Sequence, residues 1–195
     1  MTSTSALNHI HKTGLFGNHE NKKEEKLLKV SEKKNLLIVQ IVQYKNSIVS
    51  FENIDIDNLK LKNLPLSVAS NKDTRILWNG PKNWLLISMK KDLLKNISKV
   101  FKETDFAVTD LSHSRAVIEL EGQDAKEVLK KGCPYNFTLL NKDSCVNSTY
   151  NGVAFTVDMV DEKLFKIRLF SLRSFGESFY HSITDACLEF GYKSL

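Results

Sequence analysis

Glycine, cysteine and long apolar runs are all scarce in this sequence, and each scarcity excludes a class of protein. The 195 residues include 8 glycines and contain no G-x-G-x-x-G, P-loop or G-x-S-x-G pattern, which argues against the common phosphate cradles and the nucleophile elbow. No apolar run approaches the roughly 18–20 residues that a membrane-spanning helix needs. The first residues also lack the continuous apolar segment of a secretory signal. We therefore expect no association with a membrane.

The few cysteines and histidines predict neither disulfides nor a metal site. Cys133, Cys145 and Cys187 are odd in number, widely spaced and without a C-x-x-C pair. Such cysteines are typical of reduced thiols, so we expect a cytoplasmic protein. Three N-terminal histidines have no cysteine or carboxylate framework around them that would indicate zinc; they are His9, His11 and His19.

The net charge of +5 gives weak support for a nucleic-acid partner. Residues 1–35 hold seven Lys and four Glu, so most of the excess lies there and does not define a basic face. No RNP1-type string of basic, glycine and aromatic residues occurs. We expect no nucleic-acid partner, and a small basic RNA-binding domain is the weakest alternative for the function.

The chain is predicted to divide into a tail and two units of similar design. Residues 1–34 are polar and lack a sustained apolar period, which predicts a flexible arm with a short helix around Glu24–Val30. Strands followed by a helix predict a first unit over 35–105. The same order repeats in a second unit over 106–195. The fold class is therefore α+β, with two small sheet-and-helix units joined near Thr104–Asp110.

Local patterns predict individual elements within both units. The runs LLIVQIVQY and SIVSF are typical of two strands, and Arg115–Glu121 alternates like a third. Ser174 and Glu177 have the spacing of a capping box at the start of the last helix. Gly132 is expected to end a helix in the C′ position, and Gly191 is expected to end the last helix. Cys187 lies on the apolar stripe of that last helix and is expected to be a core residue.

The segment RILWNGPKNWLLISM, Arg75–Met89, predicts a hairpin with two tryptophans beside its turn. Trp78 and Trp84 have no reactive polar groups nearby, and aromatic residues are enriched both in cores and at protein interfaces. Three interpretations stay open, in decreasing order of preference: packing, a subunit interface and a small-molecule site. Since the two residues need not share a face, one is expected in the core and the other at a partner.

Two polar clusters contain reactive residue types, and we expect both to be structural. Ser112 and His113 are adjacent, so on a strand they would point to opposite faces and could not form a triad with Asp110. The cluster is better explained as a loop whose side chains bond local backbone. Cys133 follows two lysines, which favours a thiolate, but its Gly-Cys-Pro context indicates a helix exit.

Four short motifs occur in order: GPKNWLLIS, VTDLSHSRAVIELEG, LKKGCPYNF and RSFGESFYHSITDACLEFG. Together they resemble the gamma subunits of heterotetrameric sarcosine oxidases, over roughly Arg75–Tyr192. The stretch from Asp110 is also similar to the folate-binding T-protein of glycine cleavage. The fold implied is that of the T-protein and of the tRNA-modification GTPase N-terminal domain, two α+β units that are partly ferredoxin-like.

The resemblance implies a structural subunit of an oxidoreductase. Such complexes demethylate sarcosine oxidatively to glycine, with formaldehyde or 5,10-methylenetetrahydrofolate and hydrogen peroxide as products. The implied partners are alpha, beta and delta subunits, which are expected to hold FAD, FMN, NAD and zinc. This chain is expected to hold no cofactor, no metal and no catalytic residue. Its candidate interface or packing residues are Trp78, Trp84, Arg115 and Arg173. The main alternative is a free-standing folate-binding protein of the T-protein class.

Overall fold

Strands dominate the computed structural model, which describes residues 4–20 and 22–195. In chain order the strands are β1 Gly14–Phe16, β2 Leu28–Glu32, β3 Leu37–Gln43, β4 Asp55–Ile56, β5 Leu59–Lys60, β6 Val68–Ser70, β7 Thr74–Gly80, β8 Asn83–Ser88, β9 Phe106–Asp110, β10 Arg115–Glu121, β11 Cys145–Tyr150, β12 Val153–Asp161, β13 Lys166–Leu172 and β14 Tyr192–Ser194. The helices are α1 Leu93–Val100, α2 Ala125–Lys130 and α3 Gly176–Leu188. Mixed strands and helices with mostly antiparallel pairing confirm the α+β prediction. In the part of the chain that the structure describes, no helix has the length and apolar character needed to span a membrane.

The larger unit is built on a seven-stranded sheet. It comprises the described residues up to Lys34 together with Ser114–Lys142 and Val146–Leu195. The strand order is β1-β14-β2-β10-β13-β12-β11, and the β14–β2 pairing is parallel. Alternate residues of the central strands, such as Ile118 and Leu120, enter one apolar core with the buried residues of α2 and α3.

The smaller unit is a five-stranded sheet with one helix. It comprises Asn35–His113 and Asp143–Cys145, with strand order β6-β7-β8-β3-β9. Leu93, Ile97 and Phe101, spaced at four residues, bury one side of α1 in the core that also contains Trp84. The strand β3 pairs with both β8 and β9, which places it next to the edge strand β9.

The N-terminal segment differs from the expected flexible arm. Leu28 and Val30 are 1% and 0% exposed, and β2 pairs with β10 on one side and β14 on the other. The predicted helix around Glu24–Val30 is wrong: a single 3-10 turn at Glu24–Lys26 precedes the strand. Lys29 and Ser31 alternate with the buried residues, so a short period-2 pattern is present, but the surrounding charges hide it. The expectation for Met1–Ser3 and Asn21 lies outside the described residues.

The boundary between the units also differs from the expected one. The segment Thr104–Asp110 was expected to join two units, yet most of it forms β9, which pairs with β3. The smaller unit therefore extends to His113 and recruits Asp143–Cys145 from later in the sequence. A backbone bond from the Val68 amide to the Asp143 carbonyl, 2.9 Å long, ties in that late segment.

The second strand predicted from SIVSF does not form. Residues 47–50 are irregular, and a 3-10 turn follows at Phe51–Asn53. Ile48 is 99% exposed, so the apolar alternation of this run is not used for burial. The loop is fixed instead by Gln43, whose amide donates to the Val49 carbonyl at 2.7 Å.

Two of the predicted helix signals act differently in the structure. Ser174 caps nothing, because Arg173–Phe175 form a 3-10 turn that continues directly into α3. Gly132 does not take a positive φ, but a Cβ there would lie 2.7 Å from the Tyr150 ring. Gly191 takes a φ of +70° three residues after Leu188, which agrees with a glycine just past the end of the last helix.

A substitution in β2 tests whether the N-terminal segment is part of the larger core. We expect Leu28→Ala to lower the free energy of unfolding by about 2–5 kcal/mol, since it leaves a cavity at a fully buried site. Leu15→Ala is the matched control, because Leu15 is 43% exposed. Chemical denaturation of both variants measures the difference. Equal stabilities would contradict the packing of β2 described above.

Candidate functional site

The two tryptophans of the hairpin lie directly opposite each other. Trp78 on β7 pairs with Trp84 on β8, with a bulge just before Gly80. Side chains of directly opposed residues in an antiparallel pair project from the same face. The two residues therefore share a face of the hairpin and differ in depth.

Trp84 is a core residue of the smaller unit. Its side chain is 0% exposed, its ring centroid lies 5.0 Å from that of Phe51, and its indole N–H donates to the Lys62 carbonyl at 2.8 Å. Burial with a satisfied indole N–H is the usual condition of a core tryptophan. Trp78 is only half-buried, and its indole N–H reaches Asn63 Oδ1 at 3.3 Å.

The side chains of the Asp110–Ser112 turn bond to each other and to nearby backbone. The Ser112 hydroxyl donates to Asp110 Oδ1 at 2.6 Å and accepts the Ile38 amide at 3.0 Å. The Ser112 amide also donates to Asp110 Oδ1, at 2.9 Å. The hydroxyl thus donates its hydrogen bond to a carboxylate, whereas the hydroxyl of a triad nucleophile donates to a histidine. This agrees with the structural interpretation of the cluster.

The three cysteines are all buried. Burial raises the pKa of the Cys187 thiol to about 12, which disfavours the reactive thiolate. The Cys133 thiol donates to Ser148 Oγ at 3.2 Å. The neighbouring Lys130 forms its ion pair with Glu127 instead.

The two candidate arginines lie at one end of the larger sheet. Arg115 begins β10 directly opposite Leu172, the last residue of β13, and the Arg173 amide donates to the Ser114 carbonyl. Arg115 is half-buried, and this burial lowers the pKa of its guanidinium. The Arg173 guanidinium donates to the Thr4 carbonyl at 2.6 Å.

Sequence reasoning missed the apolar side chains beside these arginines. Leu172 is 43% exposed and Phe175 is 48% exposed. Leu172 is even in number, like Lys166 and Arg168, so the alternation of β13 would have placed it on the outer face. Phe175 precedes Phe179 by four residues, a spacing that predicts the apolar face of the last helix, but it belongs to the 3-10 turn before α3 and is exposed.

Comparison with known proteins agrees with the four motifs. The sarcosine oxidase, gamma subunit family matches residues 55–189, well over half of the chain. The chain belongs to this family. Sarcosine oxidase subunit gamma from Corynebacterium sp. strain U-96 is 28% identical over 120 residues, and that from strain P-1 is 28% identical over 125 residues. These alignments span 60% and 63% of this chain, and 58% and 61% of the relatives' own lengths.

Solved structures with the same fold extend the likeness over nearly the whole chain. A chain of the heterotetrameric sarcosine oxidase from Corynebacterium sp. U-96, in complex with pyrrole 2-carboxylate, matches with a TM-score of 0.80 and 22% identity. The match covers 96% of this chain and 95% of that one. Glycine cleavage system aminomethyltransferase T from Bartonella henselae matches with a TM-score of 0.64 and 9% identity, over 93% of this chain and 57% of that one. The expected T-protein-like fold is therefore confirmed.

Alanine substitutions separate the two tryptophans by depth. Trp84→Ala should lower the free energy of unfolding by about 3–5 kcal/mol, because it empties a large buried site and removes an indole hydrogen bond. Trp78→Ala should lower the free energy of unfolding by clearly less, since part of the Trp78 ring is already in contact with solvent. Thermal melts of the two variants measure this, and a larger loss at Trp78 would be contrary to the observed burial.

Thiol alkylation tests the burial of the cysteines. At pH 8 a thiol with a pKa of about 12 carries almost no thiolate when folded, whereas an unfolded cysteine has a pKa of about 8.5. We expect iodoacetamide to label Cys187 slowly in native protein and rapidly in denaturant, as followed by peptide mass spectrometry. Rapid native labelling would show that this part of α3 opens readily.

Proposed function

We propose that this chain is the gamma subunit of a heterotetrameric sarcosine oxidase and acts there as a structural component. The family match over residues 55–189 is the observation that carries the proposal. The likeness over 96% of this chain to a chain from a heterotetrameric sarcosine oxidase supports it. The assembled enzyme would demethylate sarcosine oxidatively to glycine, with formaldehyde or 5,10-methylenetetrahydrofolate and hydrogen peroxide as the other products.

In this proposal the chemistry belongs to other chains. The partners are alpha, beta and delta subunits in the cytoplasm, and they hold FAD, FMN, NAD and zinc. Two features of this chain support a non-catalytic role: Ser112 is bonded to Asp110 and to the Ile38 amide, and burial raises the pKa of the Cys187 thiol. Neither group is set up as a nucleophile.

The fold likeness to aminomethyltransferase T supports a second candidate function, that of a free-standing folate-binding protein. The chain spans 57% of the length of that protein. Titration of the isolated chain with tetrahydrofolate, followed by calorimetry, distinguishes the two functions. Saturable binding to the chain alone favours the second candidate.

Co-expression with the other subunits tests the leading proposal. The alpha, beta and delta genes of the same genome are expressed with this chain, which carries the purification tag. We expect the four chains to co-purify, with a flavin spectrum and sarcosine-dependent peroxide formation. The tagged chain expressed alone is the control and should be colourless and free of zinc. An active complex of the other three subunits that excludes this chain would refute the proposal.

A further inference from the structure

The outer face of the larger sheet carries several cations that are paired with glutamates. This face is opposite to the one that packs against α2 and α3, and it contains alternate residues of β10 and β13. Arg168 is 3.0 Å from Glu119, its directly opposed residue on β10. Glu121 is paired in the same way by two lysines from the flanking strands. Within the described residues these ion pairs are Arg168–Glu119, Lys33–Glu119, Lys166–Glu121 and Lys29–Glu121.

Arg115 lies on this same face and departs from the pattern. In the described part of the chain no carboxylate forms an ion pair with it, and its hydrogen bonds are two long ones, both 3.4 Å, to the Ser114 carbonyl and hydroxyl. The cause is in the strand pairing. The β2 ladder runs alongside β10 from Glu121 only as far as Ile118, and the directly opposed residue on β13 is Leu172. No neighbouring strand therefore supplies Arg115 with an acid.

A half-buried guanidinium without an acid is an unusual arrangement. Burial disfavours the charged form, and it lowers the pKa of Arg115 for that reason alone. Buried charges in folded proteins are as a rule paired. Arginine also presents its donors in a fork that fits the two oxygens of a carboxylate. The site is therefore complementary to an anion that the described part of this chain does not supply.

The space beside Arg115 has the size of a side chain. The groove has a volume of about 240 Å³, below the roughly 300–1,000 Å³ of ligand pockets. Its walls combine apolar residues with hydroxyl and amide groups: Ala154, Phe155, Phe170, Leu172, Asn147, Ser148 and Thr156. Such a groove suits one acidic side chain with an apolar neighbour better than it suits a cofactor.

The surroundings of the groove have the composition of a protein interface. Leu172, in the wall of the groove, is 43% exposed. Arg173 and Phe175 follow it in the sequence without lining the groove; Phe175 is 48% exposed, and the Arg173 guanidinium donates to the Thr4 carbonyl. Aromatic residues and arginine are enriched among the residues that dominate the binding energy of protein interfaces, and these residues lie in desolvated pockets.

We propose that the groove at Arg115, with the exposed Leu172 in its wall, binds an Asp or Glu side chain flanked by an apolar residue on a partner subunit. This inference rests on the proposed function, because it takes the partner from the same complex. The charge of the site selects an acidic segment, and the small volume of the groove selects a protein side chain over a free cofactor.

Competition during assembly tests the inference. Wild-type and variant chains with different tags are co-expressed with the other three subunits, and mass spectrometry measures their ratio in the purified complex. We expect Arg115→Glu to be incorporated about 30-fold less than wild type, because it opposes the partner's carboxylate at a partly desolvated site. Arg115→Gln, which keeps size and polarity, should also lose the competition. Lys99→Glu makes the same charge change at an exposed lysine that forms no ion pair with a described residue. It should be incorporated as well as wild type.

Each outcome has a distinct meaning. The melting temperature of each isolated variant must match that of wild type. If Arg115→Glu melts at a lower temperature, the incorporation of Arg115→Gln is used to judge the inference. Equal incorporation of a folded Arg115 variant overturns the inference and leaves the proposed function intact. Failure of the wild-type chain to enter the complex overturns the proposed function and this inference with it. Sedimentation of the isolated chain tests whether a second copy of this chain occupies the groove. A dimer that becomes monomeric on Arg115→Glu would assign the groove to that second copy and overturn the inference.

Discussion

Strand β2 holds the larger sheet together by pairing along both of its edges. On one side it is antiparallel to the central strand β10, and on the other it is parallel to β14, which in turn carries β1. The Leu195 amide adds a bond to the Val30 carbonyl at 2.9 Å. Without β2, no strand would join β14 and β1 to the rest of the sheet by backbone hydrogen bonds. Its buried face, Leu28 and Val30, also contributes to the core under α2 and α3.

The sequence predicts elements best where one face is buried and the other is solvated. Arg115–Glu121 and the Trp hairpin were predicted with nearly correct bounds, because apolar side chains alternate there or flank a strong turn signal. β2 was missed because it is short and charged, and its burial depends on pairing with strands far along the chain. SIVSF shows the opposite error, since the same alternation occurs there in a loop that Gln43 fixes through a side-chain bond. Alternation is thus a necessary condition for a half-buried strand but not a sufficient one.

The candidate site was predictable in its residues but not in its chemistry. The motifs include Arg115 and Arg173, and the resemblance named both, yet nothing in the sequence shows whether an arginine has an acidic partner. That property arises from register: Glu119 and Glu121 meet cations across the strand, while Arg115 meets Leu172. The same holds for the tryptophans, whose direct opposition depends on the bulge before Gly80. Geometry that depends on register is set by the whole sheet and is not encoded in any local segment.

The pairing of β2 with β14 imposes an order on biosynthesis. All strands of the smaller sheet lie between residues 37 and 110, so they can pair while the ribosome is still translating later codons. The larger sheet cannot be completed until Tyr192–Ser194 emerge, because β1 and one edge of β2 pair with β14. During that interval the apolar face of β2 has no complete core to enter. One edge of β2 therefore stays unpaired until β14 has been made, even where β10 already pairs with the other edge.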